Sequence, residues 1–386
     1  MKVLVTGAKG FMGRNLCAAL RASREFEALE HDLPPATPNA DGPRGGAASC
    51  ALSGDLRDLL READFVVHLA GVNRPVDEAE FDLGNRKLTE DILDELERTG
   101  RTPGFLLSSS IHAAGDTPYG VSKRRSEELV RAWGERTGAH ATVYRLPNTF
   151  GKWSRPNYNS VVATWCHAIA RGLPVRVDDR EKVIPLVYID DVVEEFIACM
   201  RGAPFIGPDG YATARPCHPV KLGDLLDMLT GFREGRTTLH VPDFSDRFVK
   251  ALYATYLSYL PEGEFAYDLV QRSDDRGWLA EFLKSPSGGQ VFVSVTRPGI
   301  TRGNHWHHTK TEKFLVVSGT AVVRFRRVGG DETTEYQVSG DRPQPIDIPP
   351  GYTHNIVNTG PDDLVTLFWS CEPFDPARPD TFFEEV

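Results

Sequence analysis

The chain has 386 residues, of which 40% are hydrophobic and 25% are charged, so it is long enough for two or three globular domains. Its formal net charge of −10 argues against nucleic acid or an anionic membrane surface as a partner. Because it has no apolar run of about 18 residues, no secretory signal at its N-terminus and no CxxC pair among its six cysteines, we expect a cytoplasmic protein with reduced thiols and no membrane partner.

The first predicted strand, KVLVTG, runs directly into a glycine-rich turn and then into a helix. Gly7, Gly10 and Gly13 form a GxxGxxG pattern. Glycines at these positions allow a tight turn, close approach of backbone amides to a pyrophosphate, and close packing of the helix on the strand. We therefore expect this turn, including Phe11 and Met12, to bind a dinucleotide cofactor.

A carboxylate, Asp32, follows the next apolar stretch, 19 residues beyond the last glycine of the turn. A carboxylate at this position accepts hydrogen bonds from an adenosine ribose and repels a 2′-phosphate, which favours NAD over NADP. The alternative is that Asp32 is a solvated turn residue with no ligand.

The segment ADFVVHLAGVN, residues 63–73, is a further strand of buried character. It ends in His68, Ala70 and Gly71. The carboxyl ends of parallel strands face the ligand in nucleotide-binding α/β sheets. We expect these three residues to contact the cofactor.

The next predicted strand, GFLLSSS, delivers three serines, residues 108–110, to the same edge, and Tyr119 and Lys123 follow on a helix. Positions i and i+4 share one face of a helix, so we expect the ammonium of Lys123 to lower the pKa of the Tyr119 phenol. The phenol could then exchange a proton with a substrate oxygen that a serine hydroxyl holds. The YxxxK spacing is also common on surface helices, and its order after the glycine turn and the serine strand is what favours catalysis.

The motifs TGAKGFMG, HLAG, SSS and YGVSK resemble the extended short-chain dehydrogenases/reductases, a Rossmann-fold family that acts mostly on nucleotide sugars. The resemblance implies that Ser110 is the catalytic hydroxyl, with Ser109 as the fallback, and that Tyr119 is the proton donor. It also implies that Lys123 assists Tyr119 and that both contact the bound nicotinamide cofactor.

Two further segments extend this resemblance toward the substrate. RLPNTFG is similar to the RxxNxxG segment of that family, and YIDDVVEEF is similar to its YVDD segment. The resemblance places Arg145 and Asn148 on the substrate side. Sugar 4,6-dehydratases of the family carry Asp and Glu directly after the catalytic hydroxyl, whereas Ile111 and His112 stand there in this chain. That departure favours ketone reduction over elimination.

From about residue 270 the pattern changes to short β-type runs separated by turns, among them QVFVSVT, EKFLVVSG, TAVVRFRRV and LVTLFWS. These runs predict an antiparallel β-barrel or jelly roll. The sequence therefore predicts a Rossmann-like, doubly wound parallel sheet followed by an all-β unit. We place the cofactor and sugar-nucleotide domain at 1–245, an interdomain linker at 246–269 and the β domain at 270–386.

Four potential metal ligands occur in the β region. His305 and His307 lie two residues apart in a predicted strand and therefore point to the same face, while Glu312 enters the next strand and His354 comes from a distant strand pair. Three imidazoles and one carboxylate suit zinc, iron, manganese or nickel, with an open position for a substrate oxygen. The alternative for any single histidine is an ordinary hydrogen-bonded strand residue.

The full spacing resembles the cupin superfamily. The first cupin motif matches from Gly299 to Gly319, and the second matches at PxGxxHxxxN, although Pro343 stands where the second motif usually opens with glycine. The resemblance carries the three histidines and the glutamate over as metal ligands, with zinc as the expected ion. It leaves His308 and Lys310 as residues that support the ligands, contact substrate or face solvent.

Together the two halves resemble the CapF/WbjC-type bifunctional enzymes of bacterial capsule and O-antigen synthesis, through stretches such as GVNRP, GKWSRPNYNSV, YATYLSYLP and GNHWHHTKTEKFLVVSG. This resemblance implies a UDP-linked 2-acetamido-2,6-dideoxy-4-ketohexose as substrate. It also implies C3 epimerisation by the cupin, then C4 reduction to UDP-N-acetyl-6-deoxy-L-talosamine on the route to UDP-N-acetyl-L-fucosamine, and a homodimer. The epimerase base stays open among Tyr352, His308 and Lys310.

The resemblance and the residues predict different cofactors. The family implies NADPH, whereas Asp32 favours NADH. Lys9, Arg14 and Arg44 are candidate partners of a 2′-phosphate, and we expect NADPH. Two alternative functions are a 4-keto sugar reductase whose cupin metal is purely structural and a catalytically silent sugar-nucleotide sensor.

Overall fold

The computed structural model describes residues 1–32, 52–75 and 77–386. The described chain divides into two compact units, Met1–Leu229 with Ala254–Leu260, and Thr230–Tyr253 with Pro261–Val386. The segment predicted as a linker, 246–269, includes a helix and contributes residues to both units. The domain limits proposed from the sequence stay a prediction.

Five parallel strands form the central sheet of the first unit: β1 (Lys2–Thr6), β2 (Glu27–His31), β3 (Phe65–His68), β4 (Gly104–Ser110) and β5 (Ala141–Leu146). Their order is β2-β1-β3-β4-β5. The chain reverses its direction of winding between β1 and β3, and α/β sheets bind ligands outside the carboxyl ends of the strands at such a point. Side chains alternate across the sheet, so Val3 and Val5 pack on one layer of helices and Leu4 on the other.

Nine α-helices accompany the strands in the described chain: α1 (Phe11–Ala22), α2 (Gly54–Glu62), α3 (Ala79–Phe81), α4 (Leu88–Arg98), α5 (Pro118–Thr137), α6 (Val161–Ala170), α7 (Ile189–Met200), α8 (Leu222–Thr238) and α9 (Arg247–Leu257). Residues of α1 and α7 cover one face of the parallel sheet, and residues of α2, α4 and α5 cover the other. A π-helical turn, Asp82–Lys87, joins α3 to α4, and 3₁₀ turns occupy Ile111–Ala114 and Glu262–Glu264. Because both faces are covered, the inner strands β1 and β3 are almost entirely buried, whereas the edge strand β2 is half-buried or exposed along its length.

A second, smaller sheet of the first unit contains β6 (Asn148–Phe150), β7 (Val183–Tyr188) and β8 (Cys217–Lys221). Strand β6 pairs parallel with β7, and β7 pairs antiparallel with β8. The Asn148 side chain donates to the carbonyl of Pro185 at 3.2 Å. This sheet therefore holds Asn148 just beyond the end of β5.

The second unit is built from two antiparallel sheets, whose strands are β9 (Gln271–Asp274), β10 (Gly277–Ser285), β11 (Gly289–Thr296), β12 (Thr301–Trp306), β13 (Glu312–Ser318), β14 (Thr320–Arg327), β15 (Thr333–Ser339), β16 (Ile346–Ile348), β17 (Tyr352–Asn358), β18 (Leu364–Ser370) and β19 (Phe382–Phe383). The orders are β16-β13-β18-β11-β10-β9 and β15-β14-β17-β12-β19. Phe314 and Phe368 from the first sheet share one core with Val323 and Ile356 from the second. Two antiparallel sheets over a common core make the double-sheet arrangement of a jelly-roll barrel.

The predicted fold class is confirmed: a doubly wound parallel sheet is followed by an antiparallel barrel. The five described cysteines are free thiols, and three of them, Cys17, Cys166 and Cys199, are buried as expected. Within the described ranges, no helix has both the length and the apolar character that a bilayer crossing requires.

Truncation of Trp133 should test the packing of α5 on the parallel sheet. The Trp133 side chain is fully buried and meets the ring of Phe105 edge-on at 5.7 Å between centroids. We expect Trp133→Ala to lower the free energy of unfolding by about 3–5 kcal/mol in urea titrations, because it leaves a large cavity. The same substitution at Trp153, whose side chain is 48% exposed, should cost less than about 0.5 kcal/mol. An equal loss of unfolding free energy in the two variants would contradict the buried position of Trp133 in the core.

Candidate active site and metal site

A cleft of about 1060 Å³ opens at the carboxyl ends of β1, β3 and β4 in the first unit. It brings together most of the residues predicted for cofactor, substrate and catalysis, namely Gly7, Gly10, Phe11, Met12, Gly13, Asp32, Ala70, Gly71, Ser110, Tyr119, Lys123 and Asn148. Residues that are far apart in the sequence thus line one concave surface, as expected for a ligand site at the switch point of the sheet.

The glycine turn leaves room that a larger side chain would fill. Gly7 has φ +73°, a conformation that favours glycine, and a Cβ on Gly13 would lie 2.1 Å from the carbonyl oxygen of Gly7. Gly10 is the N-cap of α1 and provides no side-chain acceptor, so the first amides of α1 stay available. This arrangement fits the pyrophosphate of a dinucleotide.

Asp32 follows β2 and is held against the glycine turn. Both of its carboxylate oxygens accept the backbone amide of Lys9, at 2.9 and 3.0 Å, and the carbonyl of His31 accepts the amide of Gly7 at 2.8 Å. Lys9 and Arg14 line the same cleft. The cleft is therefore lined both by the carboxylate predicted to bind the ribose of NADH and by two of the basic residues predicted to bind the 2′-phosphate of NADPH. Arg44, the third basic candidate, lies outside the described residues.

Ser110, Tyr119 and Lys123 meet at the end of β4. The hydroxyl of Ser110 hydrogen-bonds the phenol of Tyr119 on the first turn of α5. One turn later, Lys123 Nζ donates to the carbonyl of Ser108 at 2.8 Å and is buried. The phenol and ammonium thus lie on one helix face beside the serine strand, as the spacing predicted.

Burial sets the protonation of this group. It raises the pKa of Tyr119, an effect that the hydrogen bond from Ser110 partly offsets. It also lowers the pKa of Lys123 to about 8, against the attraction of Glu127. The expectation that Lys123 lowers the pKa of Tyr119 is wrong for this structure, because desolvation of the phenol dominates. A phenol with a raised pKa is protonated at neutral pH, which is the state that a proton donor needs.

His305, His307, Glu312 and His354 converge inside the barrel of the second unit. Their ligand atoms all lie within 4.8 Å of one another, and the centroids of the three imidazole rings are 4.6 to 5.4 Å apart. Two atoms bound to one zinc ion lie at most about 4.2 Å apart, so the cluster needs only a small contraction to hold an ion.

A β-bulge directs His305 into the barrel. The register of β12 against β17 shifts between Gly303 and His305, and the extra residue, Asn304, has φ +59°. Because of this shift His305 lies opposite His354, whose side chain faces the core. Without the inserted residue, side-chain alternation would turn His305 to the outer face.

The imidazoles of His307 and His354 present one nitrogen each to this space. His307 donates from Nδ1 to the carbonyl of Asp380 at 2.6 Å, and His354 donates from Nδ1 to the carbonyl of Tyr352 at 3.3 Å. Their Nε2 atoms are buried and have no hydrogen-bond partner in the part of the chain that the structure describes. A buried polar atom without a partner is costly, so these two atoms indicate a ligand.

The charge of the cluster suits a cation. Burial raises the pKa of Glu312, but the neighbouring imidazoles of His307 and His354 have the larger combined effect and lower that pKa. Their Nε2 atoms lie 3.4 and 3.7 Å from Glu312 Oε2. Burial, reinforced by the neighbouring imidazoles, lowers the pKa of His305 to about 4. The glutamate is therefore ionised and His305 neutral at neutral pH, and these are the protonation states in which such side chains bind divalent metals.

Known proteins align with this chain over nearly its whole length, including both units. The NAD dependent epimerase/dehydratase family matches residues 3–205, and the polysaccharide biosynthesis C-terminal domain matches residues 272–382. The UDP-2-acetamido-2,6-beta-L-arabino-hexul-4-ose reductase of Pseudomonas aeruginosa is 42% identical over 99% of this chain and 98% of that protein. The capsular polysaccharide assembling protein CapF from Staphylococcus aureus is 47% identical over 100% of both chains, with a TM-score of 0.89. The chain belongs to the CapF family.

A further CapF crystal structure, with the inhibitor 3-isopropenyl-tropolone, is 43% identical and also covers 100% of both chains, with a TM-score of 0.85. The likeness to CapF therefore includes both the α/β unit and the barrel.

One residue predicted to contact the cofactor lies behind the cleft in this CapF-family chain. His68 is only 1% exposed, and its two ring nitrogens contact the hydroxyls of Thr6 at 2.7 Å and Thr89 at 3.1 Å. Burial, and secondarily the charge of Lys123, lowers the pKa of His68 to about 3. Its side chain is a neutral support for the end of β3, and the predicted direct contact is corrected to that role.

Arg145, predicted on the substrate side, is turned away from the cleft. Its guanidinium pairs with the buried carboxylate of Glu127 at 2.6 Å and stacks on Tyr211 at 3.6 Å from the ring centroid. The same carboxylate accepts the hydroxyl of Ser109 at 2.5 Å. The structure thus uses Arg145 to neutralise a buried acid, and it leaves Ser110, not Ser109, beside the phenol.

Asn85 is a supporting residue that the sequence reasoning missed. It lies in the π-helical turn, where its side chain accepts the amide of Val72 at 2.9 Å and donates to the carbonyl of Val72 and to the Ser122 hydroxyl. It therefore ties the loop after β3 to the helix that carries Tyr119. No short motif marks Asn85, because its role depends on the extra residue of a π-helix.

A second missed feature is the loop after β6, which lines the cleft with Trp153, Arg155, Tyr158 and Asn159. Trp153 has φ +69°, which is strained for a non-glycine residue. Strained loops of this kind concentrate at ligand sites. The stretch GKWSRPNYNSV was the available signal, but it supported only the family resemblance.

Lys123 should give the first unit a distinctive pH dependence of stability. Because its pKa falls from 10.5 to about 8 on folding, the unfolded chain binds more protons between these values, and the stability of the wild type rises with pH there. We expect urea unfolding from about pH 7 to about pH 9.5 to show wild type gaining stability relative to Lys123→Met. The exposed Lys182→Met is the control and should show no such gain. A pH-independent difference for Lys123→Met would contradict the buried charge.

Proposed function

We propose that the chain is a bifunctional nucleotide-sugar enzyme of capsule or O-antigen precursor synthesis. Its barrel epimerises C3 of a UDP-linked 2-acetamido-2,6-dideoxy-4-ketohexose. Its α/β unit then reduces C4 with NAD(P)H to UDP-N-acetyl-6-deoxy-L-talosamine, a precursor of UDP-N-acetyl-L-fucosamine. The observation that carries the proposal is that a reductase-type cleft and a four-ligand cluster occur in one chain, which matches a UDP-hexul-4-ose reductase and CapF over its full length.

The barrel supplies the epimerase. His305, His307, Glu312 and His354 would hold a divalent ion, for which we propose zinc, and such an ion supplies Lewis-acid stabilisation of negative charge on a ketone oxygen. Epimerisation breaks the C3–H bond, and the electron pair delocalises into the adjacent C4 carbonyl. A proton then returns to the opposite face of C3. Atoms and electrons balance without an oxidant or reductant.

Tyr352 is the best-placed of the three candidate proton-transfer groups. It lies two residues before His354 in β17, so its side chain points to the same face as that ligand, and it is 37% exposed. His308 instead packs against aromatic side chains, and Lys310 Nζ is held by the carbonyl of Pro379 at 3.0 Å. We therefore assign the proton transfer at C3 to Tyr352.

The α/β unit supplies the reductase. The glycine turn and the cleft beside it would hold a nicotinamide cofactor, which would supply the hydride for C4. Tyr119 donates its phenolic proton to the C4 oxygen, and Ser110 orients that oxygen through its hydroxyl. Lys123 holds the end of β4 through the carbonyl of Ser108 and is available to replenish the proton of Tyr119.

The two reactions belong together chemically. The C3 proton is acidic only while C4 is a ketone, so reduction at C4 ends the epimerisation and preserves the configuration reached at C3. An enzyme that carries both sites delivers one stereoisomer as its product. The alternative, a 4-keto sugar reductase with a purely structural metal in the barrel, shares the reductase step and differs at C3 alone.

Two variants should separate the activities. With the 4-keto substrate in deuterated water, Tyr119→Phe is expected to exchange the C3 proton normally but to oxidise NADPH at least about 100-fold more slowly, because it lacks the proton donor. His305→Ala is expected to lose the metal and the C3 exchange. Mixing the two folded variants should restore the complete product by NMR and mass spectrometry, because the intermediate can pass between molecules.

His308→Ala is the matched control, since it removes an adjacent imidazole that packs against aromatic rings. It should retain metal and C3 exchange. Continued C3 exchange in folded, metal-free His305→Ala would support the structural-metal alternative. If wild type oxidises neither NADPH nor NADH in the presence of the 4-keto sugar, the reductase assignment fails and the result favours the silent sensor.

We propose NADPH as the reductant, with Lys9 and Arg14 as partners of its 2′-phosphate; both line the cleft near Asp32. Arg14→Ala should lower kcat/KM for NADPH by about tenfold or more and leave kcat/KM for NADH nearly unchanged, because a charged hydrogen bond is lost only with the phosphate. Arg24→Ala, an exposed change after α1, is the control. An equal effect of Arg14→Ala on both cofactors would instead favour NADH recognition by Asp32.

We further expect a cytoplasmic homodimer. The described cysteines are all free thiols, which supports a reducing compartment. The dimer rests on the resemblance to CapF/WbjC-type enzymes.

A further inference from the structure

The segment 379–385, here called the C-terminal strap, packs along the candidate metal site of the second unit. Strand β19 lies within it and pairs with β12 opposite His305. Beyond β19, the guanidinium of Arg326 pairs with Glu384 at 2.8 Å, and the amide of Glu384 donates to the carbonyl of Asn304 at 3.1 Å. The strap is therefore attached to the strand that carries the first ligand.

The carboxylate of Asp380 caps the chain that follows the second ligand. Its Oδ1 accepts the backbone amide of His308 at 2.9 Å, and its Oδ2 accepts the amides of Thr309 at 2.9 Å and Lys310 at 2.8 Å. The hydroxyl of Thr309 also donates to Oδ2, at 3.1 Å. Three successive amides on one carboxylate define the conformation of the loop directly after His307.

The backbone of Asp380 acts on the ligand itself. Its carbonyl oxygen accepts Nδ1–H of His307 at 2.6 Å. Because a carbonyl can only accept, this contact places the proton on Nδ1 and leaves the lone pair of Nε2 directed toward Glu312 and His354. Partners of this kind fix the ring orientation and tautomer of metal-binding histidines.

The carboxylate and the carbonyl of Asp380 depend on each other. Asp380 has φ +39°, a left-handed conformation that is unfavourable for a non-glycine residue, although aspartate and asparagine tolerate it best. The three amide contacts compensate for that conformation, and the conformation aims the carbonyl at His307. Lys310 adds a second attachment, since its Nζ donates to the carbonyl of Pro379 at 3.0 Å and to the hydroxyl of Thr381 at 2.9 Å.

We propose that Asp380 is a positioning residue for the metal site, and that the C-terminal strap is required for tight binding of the divalent ion. The strap sets the orientation and tautomer of His307, some 73 residues earlier in the chain. This inference rests on the metal assignment in the proposed function, but it concerns metal affinity and does not depend on the sugar substrate.

The test measures Zn²⁺ affinity in the full-length chain by competition with a chelator. We expect Asp380→Ala to bind Zn²⁺ about 10- to 100-fold more weakly than wild type. Asp380→Asn should fall between them, because asparagine tolerates the left-handed conformation and keeps an acceptor for the His308 amide. With Co²⁺ as the probe, the visible absorption band should change in the same order, because it reports ligand geometry.

Asp375→Ala is the matched control. It removes a carboxylate from the same C-terminal region, where Asp375 accepts the amide of Ala377 at 2.9 Å and pairs with Arg378 at 3.9 Å, both within its own turn. It should bind Zn²⁺ as tightly as wild type. Circular dichroism of each variant reports folding, and Asp380→Asn gives the decisive comparison should Asp380→Ala fail to fold.

The outcomes separate the inference from the proposed function. If wild type binds no Zn²⁺, the metal assignment fails and the epimerase mechanism fails with it. If wild type binds Zn²⁺ and folded Asp380 variants bind it equally tightly, the strap inference is overturned while the proposed function stands. Lower thermal stability of the Asp380 variants with unchanged Zn²⁺ affinity would likewise overturn it, since that pattern shows a purely structural role.

Discussion

The chemistry of the barrel depends on one constraint: three imidazoles and a carboxylate occupy the same buried space. Such a cluster is unfavourable unless each group has a partner, and the fold gives His307 and His354 one each by directing Nδ1 to a backbone carbonyl. Their Nε2 atoms then point to the centre, where an ionised glutamate already lies. The bulge at Asn304 adds His305 to the same face. The cluster is thus a consequence of backbone register as much as of residue type.

The α/β unit follows the same physical rule with different groups. Lys123 is buried and held by the carbonyl of Ser108, while Glu127 is buried and neutralised by Arg145. Burial moves the pKa of Tyr119 up and the pKa of Lys123 down, so a neutral acid stands one helical turn from an ammonium that loses its proton readily. In both units, polar side chains are kept in useful protonation states by desolvation and by a small number of backbone contacts.

Much of the cleft in the α/β unit was predictable, because local chemistry restricts which residues can occupy it. The glycine turn needs residues without a Cβ at Gly7 and Gly13, and the YxxxK pair needs helical spacing. His68 and Arg145 could not be placed in the same way. Both lie in strands that reach the cleft, and such a side chain can face either the ligand or a buried neighbour. The choice depends on partners in other elements, Thr89 for His68 and Glu127 for Arg145.

The sequence by itself determined the class of each unit and the identity of the candidate ligands and catalytic groups, because glycine spacing, side-chain alternation and metal preferences act over a few residues. Only the tertiary structure decided which serine stands beside Tyr119, on which face His305 lies, and that Asp380 supports His307. Those outcomes depend on strand register and on hydrogen bonds between separate segments, which in the case of His307 and Asp380 lie 73 residues apart, and no local pattern specifies such contacts.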